Sequence, residues 1–217
     1  MPLALFDLDN TLLADDSDFL WGCFLVEKGL VDKTAYDDAN KRFYEQYKQG
    51  TLDIHEFLAF SLKPLTQYPR ETLNDLHEEF MQKHIRPVMT KKGQNQIQQH
   101  RDKGDIIVII TATNSFVTGP IAKAFQADDL IATEPEIIDD KYTGEVAGTP
   151  CFQQGKITRL NQWLENTSHD LDNSTFYSDS HNDISLLELV TVPVAVDPDD
   201  ELKAIADERN WEIRSFR

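Results

Sequence analysis

Cysteine is scarce: Cys23 and Cys151 are the only two in 217 residues. That excludes a disulfide framework and points to a reducing, cytoplasmic setting. Basic side chains are also few, 21 against 38 acidic ones, for a formal net charge of −17. A surface of that sign repels phosphate backbones and anionic headgroups, so neither nucleic acid nor membrane is expected as a partner. The charge is compatible with cationic small molecules and divalent metals, and by itself serves solubility. No apolar run approaches the length of a membrane span. The opening residues lack a basic region, a long apolar stretch and a small-residue cleavage site, so no signal peptide is expected. Internal repeats and low-complexity tracts are missing too.

What is present begins at Leu3-Ala4-Leu5-Phe6, an apolar run that reads as a buried strand. Asp7, Asp9 and Thr11 follow it at alternate positions. Chemistry that needs one nucleophilic and one proton-shuttling carboxylate fits that spacing, although the pair alone also suits a solvated turn. A helical stretch comes next. Ser17 or Asp18 can cap a helix stopped by Gly29, and Asp32 can cap one that ends at Gly50. Asp53 with Glu56 resembles a capping box, and Pro69 suits a helix first turn. Tyr36, Phe43, Tyr47, Phe57 and Phe60 read as the core of a small helical bundle, with some free to line a pocket where the bundle faces the strand ends.

Strand and helix then alternate. Thr90 caps a helix that stops at Gly104, and Ile106 to Ile110 reads as a central strand ending in Thr111-Ala112-Thr113-Asn114. A helix around Ile121 to Phe125 follows, then a hairpin over 137–144. Gly155-Lys156 opens an amphipathic helix. Ser174 to Tyr177 is a strand leading into Asp179, His181, Asn182 and Asp183, before a helix with Leu186, Leu187 and Leu189. Val192 to Val196 and Trp211 to Ile213 are the last expected strands. The series predicts an α/β fold, a Rossmann-like parallel sheet with helices on both faces. The helical stretch is too long for a loop and reads as an inserted cap. The expected division is a core of residues 1–12 and 89–217 and a helical cap of residues 13–88.

Ligands of such sheets bind at the carboxyl ends of strands, and Asp7/Asp9/Thr11, Thr111, Lys156 and Asp179/Asp183 all lie there. Alone, Thr111 is a strand-end hydroxyl, Lys156 a solvated lysine, and the later aspartates helix caps. Their joint order resembles the haloacid dehalogenase superfamily of phosphohydrolases, over nearly the whole chain. The long helical insertion after the first motif resembles the phosphoserine phosphatase-like branch. Leu12-Leu13-Ala14-Asp15-Asp16-Ser17, and Gly148-Thr149-Pro150-Cys151-Phe152 with Gly155-Lys156, look like a bacterial histidinol-phosphatase-like group within it.

The resemblance implies a Mg²⁺-dependent phosphomonoester hydrolase. Asp7 and Asp179 would ligate Mg²⁺ with the Asp9 backbone carbonyl, and Asp183 directly or through water. Carboxylates converging on one edge need such a counter-charge, and all-oxygen ligation suits the ion. Asp7 would attack phosphorus and form an aspartyl phosphate, while Asp9 protonates the leaving alcohol and later deprotonates water. Thr11, Thr111, Ala112, Lys156 and Asn182 would hold the phosphate. His181 is not expected to ligate metal, because the family pattern uses no histidine there. An EF-hand fails for want of its glycine and closing glutamate.

Asp9 favours phosphoester cleavage over carbon–halogen hydrolysis. Missing membrane helices argue against a transport ATPase, and no marked cap lysine supports phosphonatase chemistry. The substrate is expected to be a small phosphorylated metabolite, with Asp16, Asp18, Trp21 and Arg42 as candidate specificity residues. The acidic cap entry suits an amine. Phosphoserine would also need an arginine clamp, from Arg42, Arg70 or Arg86, whereas histidinol phosphate would not, which favours the latter. Phosphotransfer to another alcohol and a non-catalytic metal- or ligand-binding protein are the alternatives. A monomer or homodimer is expected.

Overall fold

The computed structural model describes residues 1–217, with the side chain of Lys48 left out. Strand β1 (Leu3–Phe6) is buried throughout. Four helices follow: α1 (Ser17–Glu27), α2 (Lys33–Lys48), α3 (Ile54–Leu62) and α4 (Arg70–Phe80). The chain returns through α5 (Lys91–Lys103), β2 (Ile106–Asn114), α6 (Ser115–Ala124) and β3 (Asp129–Thr133). A hairpin of β4 (Pro135–Ile138) and β5 (Lys141–Val146) precedes α7 (Gln154–Glu165) and β6 (Thr175–Ser178). The last elements are α8 (Ile184–Leu187), β7 (Val192–Val196), α9 (Asp200–Arg209) and β8 (Glu212–Arg214).

Six strands form one sheet in the order β3-β2-β1-β6-β7-β8, and every pairing in it is parallel. Alternation along the strands divides the core. Ala4, Phe6, Ile107 and Ile109 face one layer, which continues into the four inserted helices. Leu3, Leu5, Val108 and Ile110 face the other, with Leu160, Leu187 and Leu202. A strand buried on both faces has no polar side to show, hence the unbroken apolar runs. The fold is the α/β, Rossmann-like one expected, and the small antiparallel hairpin is an addition to it.

The insertion leaves and re-enters the core through two adjacent segments. Leu13 and Met89 form an antiparallel bridge, Ala14 N–H donates to Val88 O at 2.7 Å, and Thr90 N–H to Leu12 O at 3.0 Å. Helix starts follow the capping rule: Asp32, Asp53 and Thr90 each accept from an amide of the first turn. For α1 the cap is Asp16, which accepts from Phe19 N–H, rather than Ser17 or Asp18. Strand β2 runs four residues beyond Ile110, so Thr111 and Thr113 sit on it and not after it. Helix α9 has no counterpart in the expected elements, because only Leu202 and Ala206 mark its buried side. Leu189, expected within a helix, lies beyond the short α8 and is exposed. Among the described residues no helix is long and apolar enough to cross a membrane.

Candidate active site

The carboxyl ends of β1, β2 and β6 meet beneath the inserted helices, and a cavity of about 110 Å³ lies between. Residues 8–12 leave β1 in a tight turn in which Asp9 keeps an extended backbone and Asn10 has φ +57°. Asp7 N–H donates to Tyr177 O on the neighbouring strand, which anchors the turn at 2.9 Å. Asp7 and Asp9 both line the cavity, with Thr111, Ala112, Lys156, Asn182 and Asp183.

Lys156 is the hub. Its Nζ donates to Asp7 Oδ1 and to Asp183 Oδ2, each at 2.7 Å, and the side chain is buried. Burial alone would lower the ammonium's pKa, but the charges of Asp183 and Asp7 hold it well above its ordinary value. Gly155 makes this approach possible. A β-carbon there would lie 2.0 Å from the Pro150 carbonyl oxygen, so no other residue fits without moving the start of α7. Asp183 is held further by Ser178, whose hydroxyl donates to Oδ2 at 2.7 Å.

Asp9 is fixed from two sides. Ser17 N–H donates to Oδ1 at 2.7 Å and Thr113 Oγ1 to Oδ2 at 2.8 Å. Thr111 Oγ1 stands 3.5 Å from Oδ2, a weak contact. Burial, and then the charge of Asp16, pushes the Asp9 carboxyl up to about 7. Asp7 is likewise raised to about 7, by burial against the opposing pull of Lys156. Burial and the charge of Asp7 raise Asp179 well above the carboxylate range. Asp9 can thus carry a proton near neutrality, as a general acid must.

Several expected residues stand elsewhere. Thr11 is fully buried and spends its one hydroxyl proton on Asp179 Oδ1 at 3.0 Å, while accepting from Asp179 N–H at 3.1 Å. It positions the acidic loop and has no proton left for a phosphate oxygen. Trp21 is 3% exposed and packs among Phe24, His77, Phe80 and Phe116, away from the cavity, because its face of α1 meets α4 and α6. Arg42 points outward, paired with Glu56 at 2.7 Å and half exposed. Arg70 pairs with Asp140, and Arg86 is exposed. Among the described residues that line the cavity, Lys156 is the one cation. Asp16 and Asp18 do line it, with Phe19, Phe43, Tyr47 and Phe152 on the apolar wall. His181 is fixed away from it by Asp199, at 2.8 Å from Nδ1.

Thr113 and Phe152 line the cavity without having been named as site residues. Thr113 was legible, since strand alternation puts it on the same face as Thr111. Phe43, Tyr47 and Phe57 are the bundle aromatics that line the cavity, though nothing local separates them from those that stay in the core, and Phe152 carried no signal of its place there.

A divalent cation can be tested against these groups. Among the described residues no three carboxylate, imidazole or thiol side chains are gathered as a ready ligand set. The donor chemistry nevertheless fits: Asp7, Asp179 and Asp183 supply hard oxygens, and the raised Asp7 and Asp179 mark a cluster short of positive charge.

The family model described as haloacid dehalogenase-like hydrolase matches residues 4–188. A protein of Neisseria meningitidis serogroup C (strain 8013), named histidinol-phosphatase, is 44% identical over 219 residues, covering 99% of each chain. A Mycobacterium tuberculosis (strain ATCC 25618 / H37Rv) protein named phosphoserine phosphatase SerB1 is 30% identical over 99% of this chain and 70% of its own. Among solved structures, a Bordetella pertussis Tohama I protein of unknown function superposes with a TM-score of 0.94 at 43% identity, covering 100% of this chain and 99% of that one. A substrate-bound phosphoserine phosphatase shares the fold, with a TM-score of 0.71 at 18% identity over 100% of this chain and 93% of its own.

Proposed function

Because the chain belongs to the haloacid dehalogenase-like hydrolases, we propose that it is a phosphoric monoester hydrolase acting on a small phosphorylated metabolite, with histidinol phosphate as the preferred substrate. The observation that carries the chemistry is the pairing of Asp7 with Lys156 on one side of the cavity and of Asp9 with Ser17 and Thr113 on the other. One carboxylate is held beside a cation, and the other between two neutral donors with no cation on it.

In the reaction, an Asp7 oxygen forms a bond to phosphorus as the ester P–O bond breaks, leaving an aspartyl phosphate. Asp9 gives its proton to the departing alkoxide. It then takes one from the water that attacks the phosphorus, and inorganic phosphate leaves as Asp7 is regenerated. Lys156, with Thr111, the Ala112 backbone and Asn182, holds the phosphoryl oxygens. Asp7, Asp179, Asp183 and the Asp9 carbonyl would hold Mg²⁺, which supplies neutralisation of charge between an anionic nucleophile and an anionic phosphate. Residues 13–88 act as the cap that closes over the site, in a cytoplasmic enzyme.

Substrate choice follows from what the cavity lacks as well as what it has. No described arginine lines it to clamp a substrate carboxylate, while Asp16 and Asp18 offer negative charge to an amine. Burial and then the charge of Asp9 raise the Asp18 carboxyl to about 7. An incoming ammonium relieves that repulsion. The 44% identical relative named histidinol-phosphatase supports the same choice.

Phosphate release against histidinol phosphate, phosphoserine, sugar phosphates and nucleotides tests this reading. Asp18→Asn raises KM for histidinol phosphate about tenfold, the worth of one charge-assisted hydrogen bond, and leaves an uncharged sugar phosphate unaffected. Equal turnover of charged-amine and uncharged esters by the native protein would sink the substrate assignment.

Protein stability should register the same charge deficit. Asp7, Asp9 and Asp18 are raised to about 7 and Asp16 to about 6, from an ordinary 3.8. The folded protein therefore binds more protons than the unfolded chain between those limits, and its stability falls as pH rises. Melting in a chelator is expected at a lower temperature at pH 8 than at pH 5, and added Mg²⁺ narrows the gap by raising the pH 8 value. A metal-free Tm that climbs from pH 5 to pH 8 would contradict this.

A further inference from the structure

Where cap meets core, one contact has no part in the reaction just described. Tyr47, near the end of α2, donates from Oη to Ser180 Oγ at 3.0 Å. Its ring lies against Phe152, with centroids 6.2 Å apart at 39°. Gly50, just past α2, sits over the same loop: a β-carbon there would be 3.6 Å from His181 Nε2. The end of α2 is thus seated on residues 179–183, some 130 positions further along the chain, as the sequence separation of 133 between Tyr47 and Ser180 records.

Ser180 is a junction within that loop. The Asn182 backbone and side-chain N–H groups also stand at 3.2 Å from the Ser180 Oγ and share the second lone pair, so the Tyr47 contact is the shortest on it. The Ser180 N–H donates to Ser178 Oγ at 3.2 Å, and that hydroxyl donates to Asp183. Asn182 Oδ1 in turn accepts from Gln153 Nε2 at 2.8 Å, in the turn that leads into the Lys156 helix. A continuous set of hydrogen bonds joins the cap phenol to Asp183, to Asn182 and to the start of α7.

We propose that Tyr47 is a positioning residue whose hydroxyl couples seating of the cap to the arrangement of residues 179–183, so that closing over substrate and aligning Asp183 with Asn182 are one event. The inference rests on the hydrolase reading for its kinetic consequence. Its structural consequence does not: without the phenol hydroxyl, the acidic loop loosens whether or not any ester is turned over.

A double-mutant cycle of Tyr47→Phe and Ser180→Ala tests it, with kcat and KM for histidinol phosphate and amide hydrogen exchange of residues 178–183 in substrate-free protein. Tyr47→Phe keeps the ring and its packing. It is expected to lower kcat about fivefold with little change in KM, the effect of one hydrogen bond, and to speed exchange in the loop. On the Ser180→Ala background the same substitution adds nothing further, because both changes remove one interaction. Unchanged exchange in Tyr47→Phe, or kinetic losses that simply add, overturns the proposal. If the native protein releases no phosphate that depends on Asp7, the hydrolase reading fails, and the exchange measurement still decides the role of Tyr47.

Discussion

Asp7→Asn is expected to abolish phosphate release, by about 10⁴-fold or more, while the protein stays as stable as the native one or becomes more so. The two halves of this result have separate causes. Asparagine has no carboxylate to form the aspartyl phosphate, so the covalent route closes. It does keep a carbonyl oxygen where Lys156 Nζ now finds Asp7 Oδ1 at 2.7 Å, and Asp183 still supplies charge to the ammonium. A carboxyl that burial has raised to about 7 is a group the fold holds at some cost when ionised, and the amide removes that cost. Rapid quenching of the native enzyme with labelled substrate should trap phosphate on the protein, and the variant should carry none. Turnover within tenfold of native would remove Asp7 as nucleophile and with it the reaction scheme.

Lys156→Met has the opposite profile, losing activity and stability together. Methionine matches the length of the lysine stem but leaves Asp7 and Asp183 facing each other with no cation, both buried. Breaking a buried pair in this way costs about 3–5 kcal/mol, against near neutrality for an exposed one. Loss of the phosphoryl clamp should lower kcat by a factor on the order of 10²–10³. The destabilisation must also grow with pH. With no ammonium the Asp7 carboxyl is raised further, so at pH 5 both proteins hold it protonated and little is lost, whereas at pH 8 the native carboxylate is ionised beside Lys156 and the variant has no cation to stabilise that form. Urea unfolding at the two pH values measures both effects. A loss of unfolding free energy under about 1 kcal/mol would mean that the buried pairing contributes little to the fold.

The contrast between the two substitutions follows from geometry rather than residue type. Asp7 has a neutral isostere that satisfies its partner, whereas Lys156 serves two partners that no apolar side chain can satisfy. The same asymmetry makes Gly155 part of the site, since the lysine reaches its place only because the residue before it has no β-carbon to strike Pro150.

By itself the sequence determined the α/β sheet, the main strand ends and the polar residues that line the cavity. Short β-branched apolar runs bounded by polar turns read as central strands, parallel topology sends their carboxyl ends to one edge, and polar residues next to those ends are carried there by covalent connection. Asp7, Asp9, Thr111, Lys156 and Asp183 came together for that reason. The tertiary structure alone decided which side chain of each group does what. Thr11 follows the end of β1 and Thr113 lies in the last residues of β2, yet Thr11 turns to Asp179 and Thr113 to Asp9, because a hydroxyl takes whichever partner the fold brings within about 3 Å. In the inserted helices the choice lay wholly outside the local sequence. Trp21 and Tyr47 are both aromatics of the inserted helices, but α1 packs its tryptophan against α4 and α6, while α2 ends over the acidic loop and leaves its tyrosine at the cavity. A helical period shows that one face is apolar. What that face meets is settled by segments far away in the chain, packed only once the fold has closed.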